Sequence, residues 1–189
     1  LYLKRDMFRV VHSLPDKIVC IARAWDLAAT DITAASHHPD RTASCLMARL
    51  KSGQYIILDM QRRALNAAAA RDLIKNTAAA DRALYGNVKI HIPQDPGQAG
   101  KAQAKSYGAM LAGYNVETQT VSGNKITRAE PLAAQVQHGN VLILAGAWVD
   151  TFIDEAEGFP DALHDDQIDA AADAFNCVAI GHDWSALIT

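Results

Sequence analysis

The chain has 189 residues, half of them hydrophobic and 21% charged, enough for one compact domain and too few for two. A formal net charge of −3 excludes the overall basic excess common in nucleic-acid binders, so phosphate binding would need a local patch, metal ions or a partner domain. Three cysteines (Cys20, Cys45, Cys177) without a CxxC pair exclude a complete disulfide framework and fit free thiols, and no apolar run approaches membrane-span length.

Residues 18–26, "IVCIARAWD", read as a buried strand ending on a tryptophan and an aspartate. The turn-rich "ATDITAASHHPDR" (29–41) predicts a hairpin loop. "TASCLMARL" (42–50) and "GQYIILDMQ" (53–61) follow as strands around the short turn "KSG". The first three strands are therefore expected to be antiparallel and sequential. The alanine-rich 63–86 carries apolar residues at helical spacing and closes on Gly86, a C-cap. "VKIHIPQD" (88–95) is a strand, 97–114 a helix, and "NVETQTV" (115–121) a strand. A helix over 127–139, capped by Thr127, leads to the strand "NVLIL" (140–144) and a helix over 148–159. "FPDALHDDQIDAAADAF" (159–175) begins the last helix. The order βββ-α-β-α-β-α-β-α-α predicts an α/β fold: a mixed sheet, with helices on both faces, in one domain over 1–189.

That last segment holds five aspartates, at 161, 165, 166, 169 and 173. At about 100° per helical residue, Ile168, Ala172, Phe175 and Ala179 form the core arc, and Asp166, Asp169 and Asp173 gather opposite. Asp165 lies between the arcs, suited to capping the first turn, and Asp161 also belongs to the helix start. A solvated polar face accounts for Asp173. It accounts less well for Asp166 and Asp169, which repel by roughly 0.2–0.5 kcal/mol with no basic residue following to offset them. Asp26 and Asp95 each close a strand, and such ends can converge at one edge of an α/β sheet. Singly, each is an ordinary turn or polar-face residue. Together they suit hard divalent cations, which take oxygen ligands, and two such ions roughly 4 Å apart assist phosphodiester hydrolysis.

The segments "WDLAATD", "IPQDPGQAGK", "VSGNKITRAEPLAAQVQHGNVLI" and "FPDALHDDQIDAAADAF" resemble, in order and over nearly the whole chain, the nuclease domain of tailed-bacteriophage terminase large subunits. The resemblance implies an RNase H-like fold and a metal-dependent endonuclease that cleaves concatemeric double-stranded viral DNA during genome packaging. It implies two Mg2+ or Mn2+ ions, with Asp26, Asp95, Asp166 and Asp169 as catalytic ligands. Asp166 and Asp169 match an acidic DxxD of RuvC-type nucleases, and which of Asp165, Asp166 and Asp169 ligates directly stays open. Lys125 and Arg128, after a flexible "SGN" turn, are candidate DNA phosphate contacts, with Lys101 and Lys105 adding to them. The implied partners are double-stranded DNA, an ATPase domain of the same full-length chain, the phage portal and the small terminase subunit, in the host cytoplasm and without a membrane. The chain lacks a GxxxxGK[ST] loop and opens on "LYLKRDMF", which fits a fragment whose ATPase part lies N-terminal.

Two alternatives share the carboxylates or the fold. A RuvC-like junction resolvase or RNase H would lack the "GNKITRAEP" block, and a non-catalytic DNA- or portal-docking module would not need the acidic set. His37, His38, His91, His138 and His164 show no paired zinc spacing, and His164, beside the acidic cluster, reads as a surface residue. Trp25 and Trp148 read as packing residues.

Overall fold

The computed structural model describes residues 3–28, 41–120, 123–162 and 164–179. The predicted hairpin loop, with His37 and His38, lies outside them apart from Arg41. The strands are β1 (Arg9–Val11), β2 (Ile18–Asp26), β3 (Thr42–Leu50), β4 (Tyr55–Arg63), β5 (Lys89–Gln94), β6 (Asn115–Thr120) and β7 (Val141–Leu144). The helices are α1 (Ala67–Tyr85), α2 (Gln98–Met110), α3 (Lys125–Gln137), α4 (Val149–Gly158) and α5 (Asp166–Ala179). The strands form one sheet in the order β1-β7-β4-β3-β2-β5-β6. β2, β3 and β4 are antiparallel neighbours as expected, while β5 runs parallel to β2 and β6 to β5, and β7 lies parallel to both β4 and β1.

Local chemistry sets most boundaries. Asn66 accepts a hydrogen bond from the Ala69 N–H at 2.9 Å and starts α1, and Gly86, at φ 78°, ends it. The predicted start at residue 63 is four residues early because Arg62 and Arg63 stay in β4, paired with Ala43 and Thr42. α3 starts earlier than expected, since Asn124 rather than Thr127 is its cap and accepts from the Thr127 N–H at 2.8 Å. Lys125 is thereby fixed in the first helical turn.

Alternation along β2 divides its side chains between two layers. Ala22 and Ala24 join Ala43, Cys45 and Met47 of β3 under α3, α4 and α5. Ile21 and Trp25 face the other way, where Trp25 packs with Ile74 and Ala78 of α1 and Tyr107 of α2. Arg23 shares that second face and is 3% exposed. Its guanidinium donates to both Asp81 carboxylate oxygens at 2.8 Å, to Asp59 at 2.8 Å and to Ser44 Oγ at 3.2 Å, tying α1 to the sheet.

Candidate metal centre

α5 packs across β2 and β3 on one side and against α3 and α4 on another. This double contact buries Asp169, which is 2% exposed, and corrects the solvated face expected for Asp173, which is half-buried. The Asp165 carbonyl accepts the Asp169 N–H at 2.9 Å, but the carboxylate that caps the helix comes from α4. Glu155 Oε1 accepts from the N–H groups of Gln167 (2.7 Å) and Ile168 (3.2 Å). Its Oε2 accepts from the Gln167 amide and from Arg62, both at 2.7 Å. Asp161 is exposed, before the helix begins. Glu155→Ala is expected to cost about 2–4 kcal/mol, because it strips two buried N–H groups and an arginine of their acceptor. Urea unfolding measures this, and a loss under about 1 kcal/mol would contradict the assignment.

The cations absent from α5 come from α3. Lys125 Nζ bridges Asp165 (2.7 Å) and Asp169 (3.1 Å), and Arg128 lies 3.0 Å from the other oxygen of Asp169. Burial alone would lower the Lys125 ammonium, but its bonds to Asp165 and Asp169 outweigh this and raise it. The two residues read as phosphate contacts thus make their hydrogen bonds to the acidic cluster.

Asp26 closes β2 on the face that α5 covers. Its carboxyl is pushed up to about 8, chiefly by burial and then by the charges of Asp169 and Asp166, with Lys125 opposing and Asp173 adding. Burial, then Glu155, also raises Asp166. Asp173 is pushed up to about 6 by burial, against the pull of Arg128. Burial is the first cause of each shift, and neighbouring carboxylates add to it. Asp166 Oδ2 is moreover buried without a hydrogen-bond partner, an acceptor short of a donor or a cation. An all-oxygen donor set with an orphaned oxygen fits a hard divalent ion. Among the described residues the aspartates do not bring three ligand atoms within 4.8 Å of one another.

Asp26, Asp166 and Asp169 are therefore brought into electrostatic contact, with Asp165 joined to them through Lys125. Asp173, assigned from the sequence to solvent, belongs to the same group. Its signal was present, since it follows Asp169 by four residues on one helical stripe. Asp95 is exposed just past β5, beside the parallel end of β2, and is not one of the charges with the largest effect on Asp26. Lys101 and Lys105 are exposed on α2 and line an open groove of about 550 Å3 with Gln94 and Thr118.

The backbone at Asp95 is held by close approach. A Cβ on Gly100 would lie 1.9 Å from the Asp95 carbonyl oxygen, whereas one on Gly108 in the same helix meets nothing within 4 Å. Gly100→Ala should cost about 1–3 kcal/mol. Gly108→Ala should instead stabilise by about 0.5–1 kcal/mol. Thermal unfolding of the two variants side by side checks the opposite directions.

Comparison with curated proteins gives no match. Structurally, the chain is similar to the large terminase nuclease of thermophilic phage G20c with bound magnesium, at a TM-score of 0.63 and 18% identity, covering 90% of this chain and 93% of that one. The human cytomegalovirus terminase nuclease domain, manganese-soaked and inhibitor-bound, gives 0.63 and 11%, covering 83% and 82%. The yeast mitochondrial Holliday junction resolvase Ydc2 gives 0.51 and 10%, covering 86% and 80%. At such identities these likenesses establish the RNase H-like fold. The family described as "Terminase RNaseH-like domain" matches residues 23–177, spanning β2 to α5 and every carboxylate discussed above. The chain belongs to that family of terminase RNase H-like domains.

Proposed function

We propose that this chain is a divalent-metal-dependent endonuclease that cuts double-stranded DNA during viral genome packaging, as the nuclease module of a large terminase. The observation that carries the reading is the group of buried Asp169 and half-buried Asp26 and Asp166, with the orphaned Asp166 oxygen. Mg2+ or Mn2+ ions bound there would activate water for in-line attack on a phosphodiester and offset charge on the leaving oxygen, giving 3′-hydroxyl and 5′-phosphate ends. Asp26 would hold the ions together with Asp166 and Asp169, the neighbouring charges that act on it most strongly. Asp166 offers an oxygen with no competing bond, and Asp169 is held in place by Arg128. Asp95 completes the set from the neighbouring strand end. Lys101 and Lys105 contact the DNA backbone, and Arg128 and Lys125 neutralise the carboxylates until metal arrives. With a net charge of −3, binding to DNA rests on these few cations and weakens steeply with salt.

The test is cleavage of plasmid and linear duplex with Mg2+, Mn2+ or chelator. Asp169→Asn should lower the rate at least about a hundredfold. Equal nicking by wild type and by Asp169→Asn would overturn the assignment. The likeness to a junction resolvase gives a second reading, so four-way junctions and RNA–DNA hybrids belong in the same assay. Preference for either over linear duplex would favour it, and absence of cleavage on all three would favour a docking module.

A further inference from the structure

A second cluster of ligand-type side chains lies on the same face of the sheet, toward the other end of α5. His91 of β5 and Glu117 of β6 are register partners, so their side chains emerge side by side, and Cys177 of α5 lies over them. One ligand atom from each lies within 4.8 Å of the other two, and among the described residues this is the group with that property. His91 is 5% exposed, and its Nδ1 is buried without a hydrogen-bond partner. A buried imidazole nitrogen with no partner is an unmet demand for a donor or a metal.

We propose that His91, Glu117 and Cys177 form a binding site for a borderline-soft divalent cation of the Zn2+ type, separate from the aspartate centre. One nitrogen, one sulfur and one carboxylate oxygen suit that ion and not Mg2+, which takes oxygen ligands and keeps several waters. The chain thus sorts its donors by hardness along a single helix. Cys177 lies eight residues beyond Asp169, about 12 Å along the axis. Glu117 stands on the edge strand β6 with its side chain 46% exposed, which gives an ion access and leaves a fourth position for water. Burial lowers the His91 pKa and keeps the ring in the neutral form that ligates. An ion bound to all three would tie β5 and the edge strand β6 to α5. Lys89 competes for the site, because its Nζ pairs with Glu117 Oε2 at 2.6 Å. The three ligands come from separate elements at sequence separations no short motif encodes, which is why the histidine spacing gave no hint of them.

The test uses Co2+ and Zn2+ alone as probes. Co2+ should produce a near-ultraviolet thiolate charge-transfer absorption that is lost in Cys177→Ser and retained in Asp26→Asn, Cys20→Ser and Cys45→Ser. Zn2+ should raise the melting temperature of wild type but not of Cys177→Ser. Glu117→Gln, an exposed edge-strand change that leaves the fold intact, should weaken Zn2+ at least about tenfold. Lys89→Ala should tighten it. No thiolate absorption, an absorption that persists in Cys177→Ser, or unchanged Zn2+ affinity in Glu117→Gln would each overturn the proposal.

Discussion

Asp26→Asn is expected to move two observables in opposite directions: metal-dependent cleavage falls at least about a hundredfold, while the metal-free protein becomes more stable. The reason is that Asp26 is costly to the fold without a cation. Its carboxyl, ordinarily near 3.8, is held at about 8 by burial and by Asp169, Asp166 and Asp173, with Lys125 opposing. Between those values the native state holds a proton that the unfolded chain releases, so stability falls as pH rises from about 4 to about 8 and levels off above. Asp166 shifts in the same direction, and Asp173, at about 6, steepens the lower part of the window. Asparagine carries no titrating proton and removes the Asp26 share, a gain of about 2–4 kcal/mol at neutral pH. Saturating Mg2+ should flatten the same slope in wild type, because the cation takes the proton's place. Urea unfolding in chelator at several pH values between about 5 and 8 measures it. A variant less stable than wild type at neutral pH would show that Asp26 is satisfied within the fold, and the electrostatic basis of the centre would fail with it.

Arg23→Met is expected to cost about 3–5 kcal/mol, the largest single loss away from the centre. The guanidinium is 3% exposed and holds Asp81, whose side chain is 7% exposed, in a two-bond fork. Asp59, 35% exposed, can turn to water when the arginine is gone, but Asp81 cannot. The penalty therefore arises mainly from one stranded carboxylate rather than from lost attraction. Combining Arg23→Met with Asp81→Leu should recover most of the loss, since a buried ion pair and an apolar pair of similar volume are often nearly equal in stability. Chemical denaturation of the two single variants and the double variant gives the coupling directly. Additive losses would contradict this account.

Periodicity carried most of the fold. Apolar runs bounded by turn residues in 18–26, 42–50 and 53–61, then helical spacing between short strands, predicted the antiparallel start and the mixed sheet. β1 escaped because it has three residues and no pattern, and it exists as a strand only by pairing with β7. The errors at the centre share a cause. By helical spacing alone α5 is a helix buried on one side, and on that description Asp173 falls to solvent. Its alanines allow burial on two sides, and which polar residues then face inward depends on α3 and α4, which helical spacing within α5 does not record. Likewise the cap is Glu155 rather than Asp165, and the balancing cations lie about 40 residues upstream in α3. Residue types announced a carboxylate centre. Its neutralisation is tertiary.

The alanines of that packing have a consequence for tuning. Ala22, Ala24 and Ala43 of the sheet and Ala170, Ala171, Ala172 and Ala174 of α5 are all fully buried, so small side chains line much of the contact between helix and sheet. Small side chains there let α5 lie close to β2, which shortens the distance between the aspartates that each element carries. The alanine layer works as a gauge block: its thickness sets the gap across which the carboxylates of β2 and α5 face each other. A single larger residue there, such as Ala24→Val, leaves each acidic group in the sequence and still detunes the centre by widening the gap.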